Sequence, residues 1–270
     1  MTRRLITFLF VLALAVPATG ATEILVTVTE KKSGAPVTEL TAADFTVITG
    51  KTEHRVTGCR FEQEAIDIVL MVDASSIGEA VTSLAPALVD QLEDKEQMAI
   101  VAYSSSADLI QEFTSSKNLL RRALSQVKFG NSPRLMDAIY ASIEDGFEGA
   151  SFRRVILLLT SGVDGPGRVS TRELIRTARR RGVSLYPVFL MTYGRSLLER
   201  LARETGGAMF NLRQMSNSAG GSASAASRIF TVMRSHYTLT LPGNLPLGEN
   251  LKVRLKRKNK KLLVSYLELN

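Results

Sequence analysis

Cysteine and histidine, which often act in catalysis or bind zinc, are scarce in this chain. Its 270 residues include one cysteine, Cys59, and two histidines, His54 and His236. A single cysteine excludes an intrachain disulfide, so Cys59 is predicted to be a small buried residue in a strand, with an intermolecular bridge as the alternative. No Cys/His spacing suited to a metal site is present.

Motifs of the common enzyme classes are also missing from the sequence. Neither histidine lies beside a Gly-x-Ser-x-Gly nucleophile elbow, and no Walker-type phosphate loop occurs. Gly162, Gly165 and Gly167 form a loose glycine-rich segment. They follow a late strand and Pro166 interrupts them, which argues against a dinucleotide site. The sequence therefore favours a protein that is not an enzyme.

The first 21 residues have the order of a secretory signal peptide. Arg3 and Arg4 precede an apolar run from Leu5 to Val16, and small residues follow up to Ala21. The run is shorter than the roughly 20 residues that span a bilayer. We therefore expect cleavage and export to the periplasm or outside the cell, with an uncleaved anchor as the alternative. The formal charge of the whole chain is +8, which permits contact with anionic surfaces without requiring it.

One apolar run organises the rest of the chain. Residues Ile66 to Val72 are nearly all apolar, which is typical of a parallel strand covered by helices on both faces. The run ends at Asp73, followed by Ser75 and Ser76. Open α/β sheets place their binding sites at the carboxyl ends of such strands. Downstream, Ile77, Val81, Leu84, Leu88 and Leu92 fall at helical spacing and predict one buried helix face.

The hydrophobic patterns divide the chain into segments. After the signal peptide (1–21), residues 22–64 and 235–270 alternate with period two, as strands do. Residues 65–234 alternate strand and helix. The predicted fold class is therefore α/β, with a mostly parallel Rossmann-like sheet and helices on both faces, inserted between two β segments that pair as one small β domain.

Several stretches, in this order, resemble a von Willebrand factor type A domain. They are VLMVDASS, VAYSSSADLIQEFT, SPRLMDAIYAS, RRVILLLTSGVDG and ETGGAMFNL. The flanking segments resemble an exported bacterial family described as VWFA-related. This resemblance implies a non-catalytic protein-binding module of adhesion or scaffold type. It also implies a site for a divalent cation, in which an Asp-x-Ser-x-Ser loop, a Thr and a second Asp supply oxygen ligands and an acidic partner group completes the coordination.

The chain keeps only part of that ligand set. Asp73 and Ser75 match the first two ligands, but the third position is Ile77. Pro133 stands at the threonine position, with Ser132 beside it, and Ser161 replaces the second aspartate. We therefore expect no bound metal or other cofactor, with Asp73 bonding nearby loop amides instead. The alternative is a Mg²⁺, Mn²⁺ or Ca²⁺ site that uses Ser76, Ser132 and Asp164 as substitutes.

A basic stretch near the C-terminus is the strongest local charge signal. Its members are Lys252, Arg254, Lys256, Arg257, Lys258, Lys260 and Lys261. Lysines on an edge strand block unwanted strand pairing, so a solvated edge explains them. The alternative is contact with an anionic envelope surface, in which the protein acts as a structural tether. Nucleic acid is not expected, because no aromatic residues are interleaved for base stacking.

The residues predicted to bind an unidentified protein partner all lie at the carboxyl ends of the central strands. They are Asp73, Ser75, Ser76, Ser132, Ser161 and Asp164. The mature chain is expected to have no transmembrane segment.

Overall fold

The computed structural model describes residues 20–31, 33–190, 194–216, 221–248, 250–256 and 261–269. The predicted signal peptide lies almost wholly outside the described residues, and so do Arg257, Lys258 and Lys260. Within the described ranges, no helix is long and apolar enough to cross a membrane.

Strands and helices alternate through the middle of the chain and strands dominate its two flanks. The strands are β1 (Ala21–Glu30), β2 (Phe45–Thr49), β3 (Thr52–His54), β4 (Gly58–Gln63), β5 (Ile66–Asp73), β6 (Gln97–Tyr103), β7 (Ala107–Thr114), β8 (Arg153–Thr160), β9 (Val183–Phe189), β10 (Phe210–Asn211), β11 (Ser235–Pro242), β12 (Leu251–Leu255) and β13 (Leu262–Leu269). The α-helices are α1 (Glu79–Thr82), α2 (Ala85–Asp90), α3 (Lys117–Leu124), α4 (Leu135–Asp145), α5 (Thr171–Arg180), α6 (Arg195–Glu204), α7 (Leu212–Ser216) and α8 (Gly221–Arg234).

A six-stranded sheet forms the centre of the molecule, in the order β10-β9-β8-β5-β6-β7. Only the pair β6 and β7 is antiparallel; the other neighbours run parallel. Every residue of β5 is buried. The chain runs outward from β5 through β6 in one direction and through β8 and β9 in the other. The strand order therefore reverses between β5 and β8, which is where open α/β sheets bind ligands.

Helices cover both faces of this sheet. Ile68 and Leu70 of β5 point into a core shared with α2, α3 and α8, whereas Val69 and Met71 point into a second core shared with α4, α5 and α6. This alternation is the period of a strand, with each face apolar. The predicted α/β architecture with helices on both faces is confirmed.

The single helix predicted from Ile77 to Leu92 is wrong. The segment contains two short helices, α1 and α2, and Pro86 lies in the first turn of the second. Proline has no backbone N–H and clashes with the carbonyl four residues earlier, so a continuous helix cannot pass through it. Leu84 and Leu88 remain buried, but Ile77 precedes α1 and is 49% exposed.

The two flanks of the chain share one sheet. Strand β1 pairs antiparallel with both β11 and β13, and β11 also pairs with β4, with Ser235 opposite Gln63. A second sheet, in the order β12-β2-β3, packs against the first around an apolar core. The ladders thus join residues before and after the α/β region, while the domain boundaries at 64/65 and 234/235 stay a prediction.

The outer face of the first β sheet contacts the α/β region at the turn after α6. The Thr27 hydroxyl donates to the Gly206 carbonyl at 2.7 Å. Gly206 has φ +77°, and a Cβ there would lie 2.8 Å from Leu267 Cβ. Glycine is therefore required both by the left-handed backbone and by the close approach of the sheet.

Candidate functional site

Four loop segments meet near the carboxyl ends of β5, β6 and β8. We call the surface formed by residues 73–78, 104–106, 129–134 and 161–168 the top edge. Backbone bonds join the loops directly: Gly130 N donates to Ala74 O at 2.9 Å, Arg134 N to Ser104 O at 2.8 Å, and Gly165 N to Pro133 O at 2.7 Å. Each loop is thus held by another, which makes the top edge a fixed platform. The structure therefore brings together the six residues predicted from sequence, although they do different things there.

Asp73 is the buried centre of the top edge. Its side chain has no exposed surface. One carboxylate oxygen, Oδ1, accepts from Ser75 N at 3.0 Å and from Ser75 Oγ at 2.5 Å. The other, Oδ2, accepts from Ser161 N at 2.8 Å. Asp73 therefore ties the loop after β5 to the loop after β8.

Tight packing of Gly78 helps to keep Asp73 buried. The Gly78 amide donates to Ser75 O at 3.0 Å, which closes the loop around Asp73. A Cβ on Gly78 would lie 2.1 Å from the Asp73 carbonyl oxygen. Below Asp73, the Tyr103 hydroxyl donates to Thr160 Oγ1 at 2.9 Å. Burial, and then the nearby negative charge of Asp73, raise the pKa of Tyr103 well above its usual value.

The four serines of the predicted site divide into two buried and two exposed. Ser75 Oγ is used by Asp73, and Ser161 Oγ accepts from Val163 N at 3.4 Å. Both are buried. Ser76 and Ser132 are exposed, and their side chains make no hydrogen bond within the described part of the chain. Of these four serines, only Ser76 and Ser132 thus offer a free hydroxyl to a partner.

Asp164 turns toward helix α4 rather than toward Asp73. Its Oδ1 accepts from Met136 N at 3.4 Å, in the first turn of the helix. Partial desolvation by the surrounding loop raises its pKa, although the residue as a whole is exposed. A second set of bonds runs from the loop to the helix, because Asp137 of α4 accepts from Arg168 N at 2.9 Å and Val169 N at 3.0 Å. Both carboxylates therefore fix the loop after β8 onto the start of α4.

These residues do not fit a divalent cation in the arrangement they adopt. Mg²⁺ requires oxygen ligands in near-octahedral geometry. The one central carboxylate, Asp73, is buried and accepts hydrogen bonds from three protein donors, and Ile77 and Pro133 stand at two of the expected ligand positions with apolar side chains. No group of three His, Cys, Asp or Glu residues suited to a metal occurs among the residues that the structure describes. As placed, the Asp73 carboxylate joins two of the protein's own loops.

The other two candidate features lie in the β flanks. On β12, Leu251 and Val253 are buried, and Lys252 and Arg254 are exposed. Lys256 is also exposed, while Lys261 makes contacts of its own. Cys59 on β4 is half-buried and donates from Sγ to Leu40 O at 3.8 Å. Burial raises the pKa of the Cys59 thiol, which disfavours the reactive thiolate.

Comparison with known proteins agrees with the arrangement of the central sheet. The family model described as von Willebrand factor type A domain matches residues 67–224.

A von Willebrand factor type A structure from Catenulispora acidiphila has 9% sequence identity and a TM-score of 0.51, over 93% of this chain and 74% of that chain. Proximal thread matrix protein 1 from the mussel byssus, solved with a zinc-occupied MIDAS motif, has 18% identity and a TM-score of 0.53. That alignment covers 68% of this chain and 49% of the mussel chain, so this chain spans about half of it. No curated protein matches the sequence. At these identities the solved structures show the fold alone.

Proposed function

Because the chain belongs to the von Willebrand factor type A domain family, we propose that it is an exported, non-catalytic protein that binds a protein partner at its top edge without a divalent ion. Domains of this family are generally modules for protein–protein interaction. The observation that carries the proposal is the division within the top edge. Asp73, Ser75 and Ser161 are buried and bonded within the loops. Four other residues remain exposed: Ser76, Ile77, Phe129 and Ser132. Export rests on the N-terminal signal-like sequence.

Exposed apolar residues at the top edge support a binding role. Ile77 is 49% exposed and Phe129 is 41% exposed. Phe129 adjoins Gly130, whose amide donates to Ala74 O, and Ile77 follows Ala74 by three residues, so both lie in loops that this bond joins. Large apolar side chains kept in water on a fixed platform commonly mark interaction sites. The site also lies where the strand order reverses.

Photo-crosslinking tests this assignment. We expect p-benzoylphenylalanine at position 77 or 129 to cross-link a protein from the native envelope, because both side chains would lie in the interface. The matched control is position 119, since Leu119 of α3 is 46% exposed but lies outside the top edge. The cross-linked product is identified by mass spectrometry, and the purified candidate is then titrated by calorimetry. Equal cross-linking from position 119, or no product from positions 77 and 129, would refute binding at the top edge.

Calorimetric titration tests independence from metal. We expect Mg²⁺, Mn²⁺ and Ca²⁺, each up to about 1 mM, to give no saturating heat with residues 22–270. The reason is that Asp73 has no free oxygen facing solvent. The alternative keeps Asp73 and Ser75 as ligands and uses Ser76, Ser132 and Asp164 as substitutes for the missing ones. It predicts a saturating heat that Asp164→Asn abolishes. That result would replace the metal-free assignment with a metal-dependent adhesion module.

A tethering role is a second candidate function, and the exposed cations of β12 favour it. Lys252 and Arg254 point outward from an edge strand. If they contact an anionic envelope surface, retention of the protein in envelope fractions falls as ionic strength rises. Lys252→Gln with Arg254→Gln should then release the protein at low salt, whereas Arg134→Gln at the top edge should not. Unchanged retention in the β12 variant would leave these residues as a solvated edge.

A further inference from the structure

The top edge carries two arginines whose side chains form no ion pair with an acidic residue of the described chain. Arg134 precedes α4 and Arg168 lies in the loop after β8, and both are exposed. Their side chains form no hydrogen bond or ion pair within the described ranges. Their backbones are fixed, since Arg134 N donates to Ser104 O and Arg168 N donates to Asp137 Oδ1. Asp137 lies one helical turn after Arg134, so the two arginines project from neighbouring parts of one rigid surface.

Most acidic side chains at this surface are already engaged. Asp73 is buried and accepts three hydrogen bonds. Asp164 accepts from the backbone of Met136, and Asp137 accepts through Oδ1 from the backbone of Arg168 and Val169, so neither bonds an arginine side chain. Asp108, at the start of β7, accepts from Ser106 Oγ at 3.0 Å. Glu79 of α1 is exposed and forms no ion pair in the described part of the chain. The arginines thus keep their donors for a partner.

The remaining exposed groups define what that partner must offer. Ile77 and Phe129 supply apolar surface, and Lys128, beside Phe129, is a third exposed cation. A guanidinium binds a carboxylate through two parallel hydrogen bonds, which a lysine or a neutral donor does not reproduce. The surface therefore combines exposed guanidinium groups, which bind carboxylates, with an apolar contact.

We propose that the top edge recognises an acidic segment of a partner protein, with Arg134 and Arg168 binding its carboxylates directly and Ile77 and Phe129 contacting a neighbouring apolar side chain. This inference rests on the proposed function and specifies its partner. The positive charge of the two arginines attracts the carboxylates of this segment. Recognition is then independent of divalent ions and weakens with salt, because the arginines are exposed to solvent.

Peptide binding provides the test. The probes are the fluorescein-labelled peptide GFDEFDG and its amide counterpart GFNQFNG, and binding is followed by fluorescence anisotropy in about 0.02 M and about 0.2 M NaCl. We expect the acidic peptide to bind about tenfold more tightly than the amide peptide, with weaker binding at the higher salt. Arg134→Gln with Arg168→Gln should abolish this preference, and about 1 mM EDTA should not change it.

The matched control is Arg176→Gln, because Arg176 is an exposed arginine of α5 that forms no ion pair in the described ranges. It should leave binding unchanged. Equal affinity for the two peptides, equal loss in Arg176→Gln, a requirement for a divalent ion, or no binding of the acidic peptide would each overturn the inference. If p-benzoylphenylalanine at position 77 still cross-links a protein in that case, only the acidic character proposed for the partner is wrong. If the cross-link is absent as well, the proposed function fails with it.

Discussion

Replacing Asp73 with alanine should lower the free energy of unfolding by about 3 kcal/mol, since buried donors left without an acceptor cost about 1–3 kcal/mol each. Asp73 has no exposed surface, and the change deprives Ser75 N, Ser75 Oγ and Ser161 N of their acceptor. The loops after β5 and β8 would also lose the side chain that joins them. Urea denaturation of the wild type and the variant measures the difference.

Two further variants make the Asp73 prediction specific. Ser76→Ala changes an exposed side chain in the same loop and should stay within about 0.5 kcal/mol of the wild type. Asp73→Asn retains one acceptor oxygen and should fall between the wild type and Asp73→Ala. A wild-type free energy of unfolding in Asp73→Ala would contradict a structural role for the carboxylate. The prediction also means that lost binding in Asp73→Ala is not evidence for a binding site, so tests of binding should use exposed residues such as Arg134 and Ile77.

Acidification should destabilise the protein through His236, by about 3 kcal/mol between pH 6.5 and pH 4. His236 lies in β11 and is 3% exposed. Burial, followed by the positive charge of Arg153, lowers the pKa of His236 from 6.5 to about 4. Glu62 and Glu64 lie 3.8 and 3.4 Å from Nε2. Glu62 opposes the pKa shift but does not cancel it.

The sign of this effect follows from proton binding. Below pH 6.5 the unfolded chain protonates His236, whereas the folded protein keeps it neutral until about pH 4. The unfolded state therefore binds more protons in this window, and stability is full above pH 6.5 and falls as the pH falls.

We expect His236→Gln to reduce the pH dependence measured by denaturation at pH 4.5, 5.5 and 7, values chosen to lie within and about the window. His54→Gln is the control, because His54 lies in the other sheet, bonded to Thr49. If both variants show the same slope as the wild type, His236 is not the cause.

The sequence indicated the central sheet and the location of the top edge well, for a physical reason. A strand covered on both faces must be apolar throughout, so β5 is visible as an uninterrupted run ending at Asp73. Parallel strands bring their carboxyl ends to one edge, so Asp73 and Ser161 could be expected to meet. The partial ligand set follows from the resemblance to the family, which says at which positions oxygen ligands are expected.

What the sequence could not show depends on contacts between distant segments. Asp164 could have turned to either side, and the amide of Met136, 28 positions earlier, decides its direction. Ile77 fits a helical stripe, but α1 begins only at Glu79, so Ile77 lies in the preceding loop and is exposed. Phe129 and Arg134 lie in a loop with no periodic pattern, so their place at the top edge comes from the backbone bonds to Ala74 and Ser104.

The attachment of the α/β region to the β sandwich determines how the molecule would carry mechanical load. The chain leaves the sandwich after Gln63 of β4 and returns at Ser235 of β11, and these two residues are paired neighbours. A partner that pulls on the top edge would draw both strands in the same direction, so the hydrogen bonds between β4 and β11 would carry little of the force. The load would instead pass to the antiparallel ladder between β11 and β1, parallel to its strands. Hydrogen bonds loaded in shear must break together rather than one after another, so this attachment should resist pulling far better than a ladder opened from its end.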